Sequence, residues 1–114
     1  MKPMWPSHWT PPGTRAIPRE ARDVVAFVAA QIGGTPDELR SHSRAGNLVR
    51  SRAVVCEVLR QRGLSLPTIG AALGDRKHTT VIHALKMLPH YIAARPRIEH
   101  LFEKTRLYSI GVSV

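Results

Sequence analysis

The residues best suited to recognise another molecule lie in one stretch, residues 74–84, which reads Gly-Asp-Arg-Lys-His-Thr-Thr-Val-Ile-His-Ala. Helical spacing places Val81, Ala84, Leu85 and Leu88 on one face, and Thr79, His83 and Lys86 on the opposite face. Arg76, Lys77 and His78 form the leading end. A helix with an apolar back, hydrogen-bonding side chains in front and a basic leading end suits the major groove of duplex DNA.

A second, shorter helix is predicted just upstream. Residues 65–74 read Ser-Leu-Pro-Thr-Ile-Gly-Ala-Ala-Leu-Gly, in which Ser65 is a suitable N-cap and Gly74 a stop signal. The two segments together predict a helix-turn-helix. Any pair of small amphipathic helices shares this pattern, so the periodicity alone does not decide the function.

The residues themselves are more specific than their periodicity. Residues 74–84 resemble the signature of the C-terminal DNA-binding domain of DnaA, the bacterial replication initiator, which usually reads Gly-Gly-Arg-Asp-His-Thr-Thr-Val-(Ile/Leu)-His-Ala. The upstream family pattern Ser-Leu-Pro-x-Ile-Gly also matches, at residues 65–70. The resemblance covers roughly residues 19–110. It implies an all-α helical bundle with a helix-turn-helix, similar to the DnaA C-terminal domain and to Trp repressor, and double-stranded DNA as the partner.

The resemblance also implies a role for individual positions. Arg44 would enter a narrow, A·T-rich minor groove, which attracts arginine, and His78 and Thr79 would read bases in the major groove beside Lys77. Phosphate contacts are implied at Arg52, Arg60, Leu66 (through the backbone of its helix), Arg76, Thr80 and His83. We add Arg50 and Lys86 to the predicted phosphate contacts because both are basic. Arg50 lies on the same predicted helix as Arg52, and Lys86 on the same predicted helix as His83.

Lys77 departs from the family pattern, which has an aspartate that contacts a base. A carboxylate only accepts hydrogen bonds, whereas an ammonium group only donates them. Lys77 could therefore read guanine O6 and N7 or turn to a phosphate, and both alternatives stay open. The loop before the long helix is also less basic than usual, with His42 and Ser43 at positions where the family often has Lys or Arg.

The charge balance agrees with a polyanionic partner. The 114 residues include 17 Lys and Arg against 8 Asp and Glu, a formal charge of +9. Ribosomal and membrane-surface proteins show the same balance, so charge alone does not identify the class of partner. The single Cys56 permits no disulfide within the chain, and no apolar stretch has membrane-spanning length. We therefore expect a cytoplasmic, nucleoid-associated protein.

The remaining pattern predicts the scaffold that positions these residues. A first helix from Pro18 or Arg19 ends at Gly33-Gly34, and Thr35 with Glu38 forms a capping box for a short helix. After a loop at residues 41–47, a buried helix spans residues 48–61, the helix-turn-helix spans residues 65–88, and a last helix spans residues 96–108. The prediction is one domain at residues 19–114 with six helices, two of them short.

Residues 1–18 contain five prolines and are predicted to form an extended tail. Trp5 and Trp9 in this tail either pack on the domain or bind a protein partner. The missing ATPase leaves two alternatives, a stand-alone relative of the DNA-binding domain and an excised fragment, and the proline-rich, tryptophan-bearing start favours the stand-alone protein.

No catalytic or cofactor site is expected. The Gly-x-x-x-x-Gly-Lys-(Ser/Thr) loop of an ATPase is absent, so nucleotide cannot bind by that route. His78 and His83 are five residues apart rather than the four that favour zinc on a helix, and no catalytic triad or carboxylate pair stands out. The leading hypothesis is sequence-selective DNA binding that regulates replication or transcription without ATP. The alternatives are a module whose tail recruits a replication protein and a basic, RNA-associated helical protein.

Overall fold

The computed structural model describes residues 17–111, and the structural statements below concern this range. It contains six helices: α1 (Arg19–Gln31), α2 (Pro36–Arg40), α3 (Gly46–Gln61), α4 (Leu66–Ala72), α5 (His78–Ala94) and α6 (Pro96–Ser109). The prediction of an all-α fold with two short helices is confirmed. Trp5 and Trp9 lie outside the described residues, so the proposed role of the tail stays a prediction.

Helix α3 is the centre of the bundle, and each of the other five helices packs against it. Its middle is apolar on every side, and residues 53–56 are all buried, as the sequence predicts. Burial raises the pKa of the Cys56 thiol to about 12, so this group stays protonated and unreactive at neutral pH. The remaining core comes from the apolar faces of α1, α4 and α5.

Local capping explains why the short helices form where they do. The side chain of Thr35 accepts a hydrogen bond from the amide of Glu38, and the Glu38 carboxylate accepts one from the amide of Thr35. This is the predicted capping box at the start of α2. Ser65 likewise caps α4 by accepting from the amide of Thr68, at 3.4 Å.

Three predicted helix boundaries are wrong. Helix α3 begins at Gly46 rather than residue 48, which shortens the preceding loop. Helix α5 begins at His78, so Arg76 and Lys77 belong to the turn before it rather than to its first turn. It also continues beyond Leu88 and through Pro89 to Ala94, because packing of its apolar face outweighs the one backbone hydrogen bond that proline removes.

The turn between α4 and α5 is packed against the end of α2. Gly74 has a φ of +85°, and a Cβ there would clash with the backbone oxygen of Arg40. A Cβ at Gly70 would clash in the same way with the oxygen of Arg76, whose amide donates to the Gly70 oxygen at 2.9 Å. Glycine at these two positions therefore lets α2, α4 and the turn approach each other closely.

We expect Gly74→Ala to destabilise the fold more than Gly63→Ala does. Gly63 has nearly the same φ, +86°, but a Cβ there meets no atom within 4 Å. Gly63→Ala should therefore cost only the left-handed backbone strain, about 1–2 kcal/mol. Gly74→Ala should cost about 1–3 kcal/mol more from the clash. Urea denaturation of both variants measures the difference, and equal losses would contradict the close packing.

Candidate DNA interface

The leading end of α5 is exposed and carries the residues predicted to read bases. Lys77 is the N-cap residue, with extended backbone and no side-chain capping bond. His78, Thr79 and Thr80 in the first turn are also exposed. The first turn contains no acidic residue, so the positive end of the helix dipole is not neutralised within the helix. This end of the 17-residue helix is arranged to meet an anion.

The two faces of α5 are divided as the periodicity predicts. Val81 and Leu88 are buried, and Ala84 and Leu85 are partly buried against the core. On the opposite face, His83 and Lys86 are exposed together with Thr79. The polar face is therefore available to a ligand along at least two turns.

Arg76 lies in the turn before α5 and ties it to the loop that follows α2. Its guanidinium donates to the oxygen of Ser41 at 2.6 Å and to that of Leu73. A longer bond of 3.5 Å reaches the oxygen of Arg40. Arg76 is half-buried, and burial lowers its pKa. Some of the N–H groups of Arg76 that were predicted to bind a phosphate therefore donate to carbonyl oxygens of the protein instead.

Arg52 is the most buried of the predicted phosphate contacts. It is only 6% exposed, and it donates from Nε to the oxygen of Leu39 and from Nη1 to that of Ser43, both at 2.7 Å. Its Nη2 donates to the oxygens of Ser41 and Glu38, at 3.0 and 3.2 Å. A guanidinium has five N–H donors, so four of them are used here. Arg52 therefore holds the loop in place from within the fold, and its contact with a phosphate stays a prediction.

Arg52 and Arg76 together form what we call the arginine clamp, in which both guanidinium groups bind the carbonyls of residues 38–43. Both donate to the same Ser41 oxygen. Burial, and secondarily the charge of Arg76, lowers the pKa of Arg52 to about 10. Among residues 17–111, the clamp's hydrogen bonds are all made to backbone carbonyls and none to a carboxylate, so neutral groups hold two positive charges close together.

The clamp fixes the loop that carries Arg44. Within this loop the side chain of Ser41 accepts from the amide of Ser43, and that of Ser43 accepts from the amide of Ala45, each at 3.3 Å. Arg44 lies between these bonds and is exposed. The loop is thus held from inside by the clamp, while the residue predicted to enter the minor groove is at its surface.

The other predicted phosphate contacts lie in different surroundings. Arg60 is exposed and pairs with Glu57 through bonds of 2.8 and 2.6 Å, which raise the pKa of Arg60. Arg50 is half-buried, with its guanidinium against Gly46. The side chain of Leu66 packs against the core, so only its backbone can face a ligand. No distance here tests the predicted contacts with DNA, which stay predictions.

Comparison with known proteins decides the family. Residues 21–87 match the family described as "Bacterial dnaA protein helix-turn-helix". The matched residues make up more than half of the chain. The chain belongs to this family. Domains of this DnaA helix-turn-helix type bind DNA and are not catalytic, so the family supports double-stranded DNA as a partner.

The relatives are replication initiators, and each is matched over a small part of its own length. Chromosomal replication initiator protein DnaA of Gloeobacter violaceus is 32% identical over 97 residues, which are 83% of this chain and 22% of the relative. The protein of the same name from Deinococcus radiodurans is 37% identical over 86 residues, 71% of this chain and 18% of the relative. The chain thus spans about a fifth of the length of these DnaA proteins. No solved structure matches it.

Among residues 17–111, no helix is both long and apolar enough to cross a membrane. Within the same range, no three His, Cys, Asp or Glu side chains are grouped as a metal site would require.

We expect Arg52→Ala to destabilise the fold strongly, whereas Arg60→Ala leaves stability nearly unchanged. The first variant removes four hydrogen bonds and leaves carbonyls without their donor, which should cost about 3 kcal/mol. The second removes only an exposed ion pair, which contributes little. Chemical denaturation monitored by circular dichroism measures both, and similar small losses would show that the clamp does not support the fold.

Proposed function

We propose that this protein binds duplex DNA selectively, at sites related to the boxes recognised by the DnaA family, and that it regulates replication or transcription by occupying them. It acts without nucleotide, because the sequence contains no phosphate-binding ATPase loop. The observation that carries the proposal is the arginine clamp, which joins two DNA-reading elements into one surface.

The clamp connects these elements within a few residues of their contact positions. Arg76 lies two residues before His78, and it donates to Ser41, three residues before Arg44. The turn before the proposed major-groove residues is therefore bonded to the loop that carries the proposed minor-groove arginine. A surface fixed in this way reads adjacent grooves without first having to order a loop, which lowers the entropy cost of binding.

Charge supports duplex DNA over an uncharged partner. Arg44, Lys77 and Lys86 are exposed on this surface. The clamp adds two charges that no carboxylate bonded to it neutralises. Phosphates placed beside this surface would relieve the repulsion and release counterions from the DNA. Affinity should therefore fall steeply as the salt concentration rises.

A titration tests the proposal directly. The protein is added to a labelled duplex that contains a family-type box, to a scrambled duplex and to a structured RNA. The proposal predicts tightest binding to the box, with log K falling against log salt at a slope of roughly −4.5 for about five phosphate contacts. Equal affinity for all three would leave a basic, RNA-associated protein as the better description.

Two variants separate base reading from phosphate binding. Thr79→Ala should reduce the preference for the box over the scrambled duplex by about 1–3 kcal/mol, since it removes a base contact. Lys86→Ala serves as the matched control on the same helix face, and it should weaken both duplexes equally. Equal weakening by both variants would contradict a base-reading role for Thr79.

Lys77 should change which box is preferred. Because its ammonium only donates and sits at the N-cap of α5, we expect it to favour guanine at the base pair that the family's aspartate faces. Selection from a random library should return a site altered at that base pair, and Lys77→Asp should shift it back toward the family's box. The same site selected by both proteins would mean that Lys77 contacts a phosphate.

A further inference from the structure

A broad groove lies on a face that the predicted contacts do not use except through Arg50. It runs between the C-terminal end of α1, the first turns of α3 and the junction of α5 with α6, and has a volume of about 880 Å³. Buried Ile98 and Leu101 form part of its floor. The groove is therefore formed by three separate parts of the sequence that only the fold brings together.

The residues lining the groove are strongly basic. Five of them are cationic or can become so: Arg50, Arg95, Arg97, His100 and Lys104. No Asp or Glu of the described part of the chain lines the groove. Glu103 on α6 forms an ion pair with Arg106, which does not line the groove. A concave surface with charge of a single sign concentrates the field and attracts an anion.

The surroundings of Arg50 favour phosphate groups as the anion. The guanidinium of Arg50 is packed against Gly46, and its buried Nε has no acceptor within the described residues. The 14-residue helix α6 also begins at the groove, with Pro96 at its first position, but Glu99 in its first turn offsets the positive end of the helix dipole. The charge of the groove therefore comes from its cationic side chains.

The position of the groove points to a particular ligand. Asn47 lines its edge and lies only three residues after Arg44. Three residues span at most about 11 Å. The groove therefore opens close to the point where Arg44 would enter the minor groove. A duplex bound there continues past this edge of the protein, so its backbone is the nearest source of phosphates.

We propose that this groove binds the DNA backbone that flanks the box on the Arg44 side, extending the footprint beyond the helix-turn-helix and its loop. The inference rests on the proposed function, since it assumes a bound box. Arg97 and Lys104 on α6 would make the outer phosphate contacts, and Arg50 would supply a fixed charge at the base of the groove.

Duplexes of different length test this extension. One carries the box alone, and two others add about five base pairs, roughly 17 Å of helix axis, on either the Arg44 side or the opposite side. We expect the Arg44-side extension to raise affinity about tenfold at low salt. Two added phosphate contacts should also steepen the salt slope by about 1.8. The opposite extension should change neither quantity.

The double variant Arg97→Gln/Lys104→Gln should lose this gain while still preferring the box over a scrambled duplex. The control Arg19→Gln/Arg22→Gln removes the same charge from the far end of α1, about 18 Å along the helix, and should keep the gain. The inference is overturned if the wild-type protein gains nothing from the flank, if the groove variant gains as much as the wild type, or if the groove instead holds a second duplex, seen as two-duplex complexes by sedimentation.

The duplex that carries the box alone distinguishes a failure of the proposed function from a failure of the proposed role of the groove. Loss of box preference on the box-only duplex would contradict the proposed function. A preserved preference without any gain from the flank would contradict only the role of the groove.

Discussion

Hydrogen bonds from two arginines to the backbone of one loop hold the recognition surface together. Arg52 reaches that backbone from the buried side of α3, and Arg76 reaches it from the turn before α5. Without these bonds, the residues after α2 would keep only the local hydrogen bonds of Ser41 and Ser43, and no hydrogen bond would tie the loop of Arg44 to α3 or to the turn before α5. The glycines at positions 70 and 74 serve the same arrangement, because they allow the turn to approach α2 closely enough for Arg76 to reach Ser41.

This arrangement has an electrostatic cost that is useful in a DNA-binding protein. Two guanidinium groups lie close enough for the charge of Arg76 to lower the pKa of Arg52, and their shared acceptors are neutral carbonyls. An acidic residue in their place would relieve the repulsion, but it would also repel a phosphate backbone. With carbonyls as acceptors, the hydrogen bonds fix the geometry while the positive charge remains to act on DNA.

The sequence predicts the helices well because their signals are local. The apolar spacing of α5, the capping box at Thr35 and the cap at Ser65 each depend on residues within one or two turns, and each is found as predicted. The end of α5 is missed because Pro89 is normally a breaker and only tertiary packing overrides it. The start of α5 is missed because arginine and lysine are both acceptable in the first turn of a helix. The types of Arg76 and Lys77 therefore do not show that the helix begins only at His78.

The site is predicted less completely, because much of it depends on contacts between distant parts of the sequence. The exposure of His78 and Thr79 follows from helical periodicity. The role of Arg52 does not, since its acceptors are backbone oxygens up to 14 residues away, which every residue type carries. The basic groove is likewise invisible in the sequence, because its cations come from α3 and from the α5–α6 junction.

The box preference and salt slope of the Arg52→Gln variant decide whether Arg52 positions the loop or contacts DNA, measured at a temperature where circular dichroism shows the variant folded. If Arg52 positions the loop of Arg44, the preference for the box over a scrambled duplex should fall while the salt slope stays as in the wild type. A slope shallower by about 0.9, with the box preference intact, would mean that Arg52 contacts a phosphate and would contradict the account.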